Sequence, residues 1–128
     1  MNKFLLFKYL FGKAQDCYER KEFMIALQYL NETIFFSFSL PSKFISDTYE
    51  LRGLIKMHLN QHMESIIDFN KAINFSPKNA LLFFYRYSCY LVLSKYDAAI
   101  KDCEKLIELE PYESIHHNNL KFLKNLHK

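Results

Sequence analysis

An all-α fold, an α-solenoid of three antiparallel helix hairpins closed by a C-terminal capping helix, is predicted by three features of this 128-residue sequence. The first is a repeat. Ile66, Asp68, Lys71, Ile73 and Pro77 return as Ile100, Asp102, Lys105, Ile107 and Pro111. The pairs Arg52/Arg86 and Leu59/Leu93 keep the same offset (111 − 77 = 34). A fixed period of about 20–50 residues marks a chain of supersecondary units, each of which must stack on a neighbour to bury its apolar face. The second is composition. Phe (13) and Tyr (9) supply much of the apolar fraction while Gly (2) and Pro (3) are scarce, which suits helices with few turns and disfavours a sandwich or barrel. The third is the recurrence of apolar residues at three- and four-residue spacing in most segments.

Taken in order, residues 3–20 predict a first helix on the spacing of Phe4, Phe7, Leu10, Phe11, Ala14, Cys17 and Tyr18. After a polar turn at Lys21 and Glu22, the positions of Phe23, Ala26, Leu27, Leu30 and Ile34 predict its return helix, which runs out in Phe35-Phe36-Ser37-Phe38-Ser39-Leu40 before Pro41. Ser42 reads as the N-cap of a third helix carrying Phe44, Ile45, Tyr49, Gly53 and Leu59, and Met63 to Phe75 as its return, closed by Pro77. A third hairpin spans Ala80 to Leu93, a turn at Ser94-Lys95, and Tyr96 to Leu109 before Pro111. Ile115, Leu120, Phe122, Leu123 and Leu126, interleaved with polar residues, predict a last helix that shields an open end. The organisation expected is one domain over 1–128: repeat one about 4–41, repeat two about 42–79, repeat three about 80–113 and a capping helix about 114–126.

Bulk properties remove several function classes. A formal charge of +3, from 17 basic and 14 acidic side chains, is too small and too mixed for a polyanion-binding field, so no nucleic acid is expected. Residues 80–93 are the most apolar run, but Arg86 interrupts a stretch already shorter than the roughly 20 residues that span a bilayer, so no membrane insertion is expected. Cys17, Cys89 and Cys103 are odd in number and form no Cys-x-x-Cys pair; they read as buried thiols of a reducing, cytoplasmic compartment. Gly12 and Gly53 make no phosphate loop. His58 and His62 are split by a turn, and His116 and His117 read as solvated residues, so no metal is expected. Glu108, Glu110, Asp97 and Asp102 read as solvated charges on outer faces. No catalytic site and no cofactor are expected, and the chain reads as a binding protein rather than an enzyme.

The pattern resembles the tetratricopeptide repeat, a 34-residue helix-turn-helix unit. Repeat two supplies Tyr49-x2-Arg52-Gly53, Ser65-x3-Phe69, Ala72 and Pro77; repeat three supplies Phe83-x2-Arg86-Tyr87-x2-Tyr90, Tyr96-x2-Ala99, Leu106 and Pro111. Repeat one fits through Leu10, Ala14, Phe23, Ala26 and Leu30, but the step from Ala14 to Gly53 is 39 and not 34, so five positions are inserted around 36–41. Small residues let antiparallel helices approach, as Gly53 against Ser65 and Ala14 against Ala26. Repeat three breaks that rule: Tyr87 replaces the small residue and Cys103 the usual large aromatic, an exchange of volume that keeps the core filled.

The resemblance implies a concave groove, lined by the first helix of each hairpin, that holds a peptide or helix of another protein. Carried onto this sequence it gives Lys8, Phe11, Gln15 and Tyr18; then Asp47, Glu50, Leu51, Leu54, Met57 and His58; then Leu81, Phe84, Tyr85, Ser88, Leu91 and Val92. The partner-binding residues singled out are Phe11, Tyr18, Leu51, Leu54, Met57, His58, Leu81, Phe84, Tyr85, Ser88 and Val92, a mainly apolar set that points to hydrophobic anchors. The co-chaperone subclass that binds Hsp70 and Hsp90 tails clamps carboxylates with Lys, Asn and Arg. The matching positions here are Phe11, Gln15, Leu51, Leu81 and Tyr85, none a cation, which disfavours that alternative. Two further alternatives are an RNA-binding helical repeat and a self-associating subunit, a homodimer closing through the groove or through Phe35, Phe36 and Phe38.

Overall fold

The computed structural model of the chain describes residues 2–126, and among them there are seven helices and no strand. Two compact units, Met1–Pro77 and Lys78–Lys128, divide the chain. The first holds α1 (Lys3–Glu19), α2 (Phe23–Ser37), α3 (Ser42–His58) and α4 (His62–Phe75). The second holds α5 (Ala80–Val92), α6 (Tyr96–Leu109) and α7 (Ser114–Leu126). The fold class is that of tetratricopeptide-like helical hairpins.

Each hairpin turn closes in the same way. Lys21, Asn60 and Ser94 adopt φ of 61°, 60° and 55°, and the next amide reaches back to a carbonyl of the last helical turn: Glu22 N to Cys17 O, Gln61 N to Lys56 O and Lys95 N to Tyr90 O, all 2.8 Å. A left-handed residue after the last helical turn lets these amides satisfy carbonyls that the helix end leaves open. The turns recur at steps of 39 and then 34 in the numbering (60 − 21 and 94 − 60), the same spacings as the sequence repeats.

The five extra positions do not form a longer loop. Helix α3 has 17 residues against 13 in α5, and Ala80, which begins α5, corresponds one period earlier to Ser46. Residues 42–45 therefore add one turn to the front of α3. Ser42 is not its N-cap: Pro41 holds that position with φ −54° and ψ 150°, its carbonyl accepts the Phe44 amide at 3.0 Å, and no side chain caps the helix. Proline's fixed φ sets the entry geometry there without a hydroxyl. Side chains do cap α1 and α5, where Asn2 and Asn79 accept the amides of Phe4 and Leu81.

In the first unit Ala14, Cys17, Ala26, Leu30, Leu51 and Ile55 form one buried cluster, so the two alanines lie together as their size suggested. Between α3 and α4, Ser46 Oγ donates to Ala72 O at 3.0 Å. A Cβ placed on Gly53 would meet the Phe69 ring at 2.7, 2.9 and 3.0 Å, so the closest neighbour of Gly53 is this fully buried ring. In the second unit Tyr87, Ala99, Cys103 and Leu123 form the core, with Leu123 contributed by α7. Tyr87 and Cys103 stand one period after Gly53 and Phe69 and share one buried cluster, so the exchange of volume is realised.

The repeated Arg and Asp belong to one device. Arg52 grips Asp68 through Nε to Oδ2 at 3.0 Å and Nη2 to Oδ1 at 2.8 Å. Arg86 grips Asp102 through the same atoms at 3.0 and 2.6 Å. Asp102 is thus buried, not a solvated outer charge. A carboxylate in a helix interface is tolerable only when donors replace its water, and the planar guanidinium supplies two in parallel. His116 is likewise buried, not solvated; its Nε2 lies 2.8 Å from Glu110 Oε1, tying α7 to the end of α6.

All three thiols are buried. Burial above all, then the charge of Asp102 and last that of Glu104, push Cys103 up to about 11 against an opposing pull from Tyr87. Reactivity follows the thiolate, so native protein at neutral pH is expected to leave Cys103 unmodified by a disulfide reagent that titrates it completely in urea. Equally fast labelling of Cys103 in both states, located by peptide mass mapping, would show that this core opens.

Candidate functional site

Three cavities lie beside predicted partner-binding residues, two in the first unit and one in the second. Between α1 and α3 a cleft of about 270 Å³ is lined by Phe11 and Gln15 from α1 and by Asp47, Glu50, Leu51 and Leu54 from α3. The four-residue steps 11/15, 47/51 and 50/54 put these side chains on the facing stripes of two helices. Phe11 is held by stacking on the buried Phe7 ring, centroids 5.4 Å apart. Leu51 is 8% exposed and belongs chiefly to the core, forming the floor of the cleft, while Leu54 is half-buried. Asp47 is raised above its ordinary value of 3.8, because burial outweighs the opposing charge of Lys43 one turn before it on α3.

At the other end of the same helices, a cavity of about 350 Å³ is lined by Tyr18, Glu19, Lys21, Phe23 and His58. His58 stacks on Phe23 with centroids 4.9 Å apart and planes 10° from parallel, and its Nε2 lies 3.2 Å from the Tyr18 hydroxyl. Tyr18 and His58 are therefore paired with each other across α1 and α3, and His58 is engaged with aromatic rings. Met57, half-buried beside it on α3, lines none of these three cavities.

In the second unit a cavity of about 250 Å³ is lined by Ala80, Leu81 and Phe84 of α5, Leu106 and Glu110 from the end of α6, and His116 of α7. Leu81 and Phe84 keep 54% and 40% of their surfaces exposed, and Tyr85 packs edge-on to Phe84 at 6.2 Å. Ser88 turns its hydroxyl back to Phe84 O, and Val92 stays exposed at the far end of the helix. The opposite face of α5 is covered: Leu82, Phe83, Tyr87 and Cys89 are buried. The sequence missed Glu110 and His116 as walls of this cavity, because both were read as solvated and no apolar periodicity singles out a histidine in the first turn of α7. Outside these cavities, Phe35 and Phe38 at the end of α2 are 82% and 57% exposed.

No helix among the described residues is long and apolar enough to cross a membrane. Comparison with known proteins gives concordant results. The sequence profile of the tetratricopeptide repeat matches residues 46–79 and 88–113. Over 83 residues, 65% of the chain, the sequence is 30% identical to the DnaJ homolog subfamily C member 7 homolog of Dictyostelium discoideum, of whose length it spans only 15%. Among solved structures it is similar to the first tetratricopeptide domain of Spaghetti (RPAP3) bound to the HSP90 peptide SRMEEVD (18% identity, 94% of each chain covered, TM-score 0.78). It is also similar to the Yersinia enterocolitica type III secretion chaperone SycD in complex with a peptide of the translocator YopD (13% identity, 94% of each chain, TM-score 0.82).

Proposed function

From the premise that this chain is a tetratricopeptide-repeat protein, we propose that it works as a non-catalytic adaptor, holding a peptide or helix of another protein on the inner faces of its helices. The observation that carries this is the cleft between α1 and α3, where Phe11 and Leu54 supply apolar contacts over a Leu51 floor, among the polar groups of Gln15, Asp47 and Glu50. Pockets with an apolar floor and a few oriented polar groups are where ligands are held and discriminated. Leu81 and Phe84 give the second unit an apolar surface of its own. The compartment proposed is the cytoplasm, in keeping with three unbridged thiols.

Two structural neighbours are complexes with peptides, which supports a peptide as the ligand class. The co-chaperone alternative is favoured by the HSP90 peptide in one of them, but its chemistry requires cations. Phe11, Gln15, Leu51, Leu81 and Tyr85 stand at the clamp positions and supply none. Self-association remains the alternative for the exposed Phe35 and Phe38.

The test is a lysate pull-down with the purified chain beside Leu54→Glu and Phe84→Glu, each checked for native helical circular dichroism. A charge placed on a hydrophobic anchor is expected to lower retention of a bound protein by about tenfold or more, the effect of losing one hot-spot residue. Identical retention by all three chains would remove both clefts as binding sites. Phe84→Glu should keep the fold, since Phe84 is 40% exposed.

A further inference from the structure

We propose that the cleft between α1 and α3 selects a protein segment that places a Lys or Arg side chain beside its apolar anchors, and rejects acidic tails. This deepens the adaptor reading and rests on it. The lining consists of three apolar side chains, the Gln15 amide and two carboxylates, and no Lys or Arg is among it. Asp47 carries the selection; Glu50 has interactions of its own and adds its charge to the same wall. Of the basic residues nearest along the helices, only Lys43 acts on Asp47, and burial outweighs its charge. Lys8 has its ammonium over the Phe4 ring at 5.8 Å, one turn before itself on α1, and Lys43 is exposed on α3. The Asp47 proton is therefore held more tightly than in water. A ligand cation would supply the missing compensation in a partly desolvated site, where an ionised hydrogen bond is strong. A ligand carboxylate would bring a third negative charge into the same space. The contrast with the second unit is instructive, since Glu110 at its cavity already has a partner in His116. The chain as a whole carries +3, so its long-range field disfavours a cationic ligand, and any preference for one must arise locally.

The experiment uses the full chain and three fluorescent peptides of equal length, acetylated and amidated, sharing leucine anchors and carrying Lys, Ser or Glu at the intervening positions. Fluorescence anisotropy is expected to rank them Lys, Ser, Glu, with about tenfold between the extremes at low salt, narrowing as salt is added. The isosteric variant Asp47→Asn is expected to reduce the Lys-over-Ser advantage to within about twofold. Equal affinities for all three, with binding lost in Leu54→Glu, would overturn the charge selection and leave the apolar adaptor site standing. A Glu peptide bound tightest, or a Lys preference unchanged in Asp47→Asn, would also overturn it. Binding of none of the three, or binding indifferent to Leu54→Glu, would overturn both the selection and the adaptor reading of this cleft.

Discussion

Alanine at Asp68 is expected to cost about 3–4 kcal/mol of stability, and alanine at Asp102 about 2–3 kcal/mol, the scale of removing one partner of a buried ion pair. The order follows from what each leaves behind. Asp68 is fully buried and holds two cations, Arg52 through both oxygens and the Lys56 ammonium at 3.1 Å, so its loss sets two like charges face to face. Among the described residues Asp102 pairs with Arg86 alone, because Tyr90 stands where the previous repeat has Lys56. Both arginines keep ring contacts, Arg52 with Tyr49 at 5.5 Å and Arg86 with Phe83 and Tyr90 at 5.4 and 5.9 Å, so the second cation makes the difference. Burial pulls Arg86 down, but the hydrogen bond and charge of Asp102 more than reverse this and leave it raised. Burial raises Asp102 further than Arg86 lowers it. A carboxyl raised by folding contributes its full stability below its ordinary 3.8 and loses it as pH climbs through the raised value, so ionising Asp102 is not itself a source of stability. The double variant Arg86→Met/Asp102→Leu should therefore recover most of what Asp102→Ala loses. Urea titrations of the variants measure this, and single losses below about 1 kcal/mol would mean that water already reaches the pairs.

These pairs also mark the limit of what the residues disclosed. The repeat period located Arg52, Arg86, Asp68 and Asp102, but a period records recurrence and not direction. The step from each Arg to its Asp becomes a contact only when two helices lie antiparallel at a known angle. For the same reason Asp102 and His116 were misplaced as solvated: each is polar by type and buried by the chain that crosses it. The hairpins were legible because apolar helical spacing is broken by polar turns and prolines, as at Lys21-Glu22, Pro41, Pro77, Ser94-Lys95 and Pro111. The start of α3 at 42 was legible from Pro41 and Ser42, whereas the insertion was placed around 36–41, ahead of the helical turn at 42–45 that holds four of its five positions. At the candidate site, Phe11, Leu51, Leu54, Leu81 and Phe84 were reachable from face mapping alone. Asp47 and Glu50 were on that face too, yet only the cleft geometry reveals that its wall includes no Lys or Arg.

The largest expected effect is the transfer of one repeat's packing solution into the other. Gly53→Tyr should destabilise by more than the roughly 1–3 kcal/mol typical of overpacking, because even a Cβ there sits 2.7 Å from Phe69 Cε1 and the fully buried ring has no room to retreat. Phe69→Cys should cost about 3–4 kcal/mol through the cavity left by the ring. Combined, the two reproduce the Tyr87/Cys103 arrangement of the next repeat, and the double variant is expected to be more stable than the sum of the single losses predicts by about 3 kcal/mol. Rescue should be incomplete. Ser65 and Ala72 of α4 stand one period before Ala99 and Leu106 of α6, so the side chains that accompany the transplanted pair differ between the two repeats. Additive losses in a urea double-mutant cycle would mean that volume is not exchanged pairwise between these positions, and that the Leu123 side chain of α7, which packs in the Tyr87 cluster, is what makes room for the large residue.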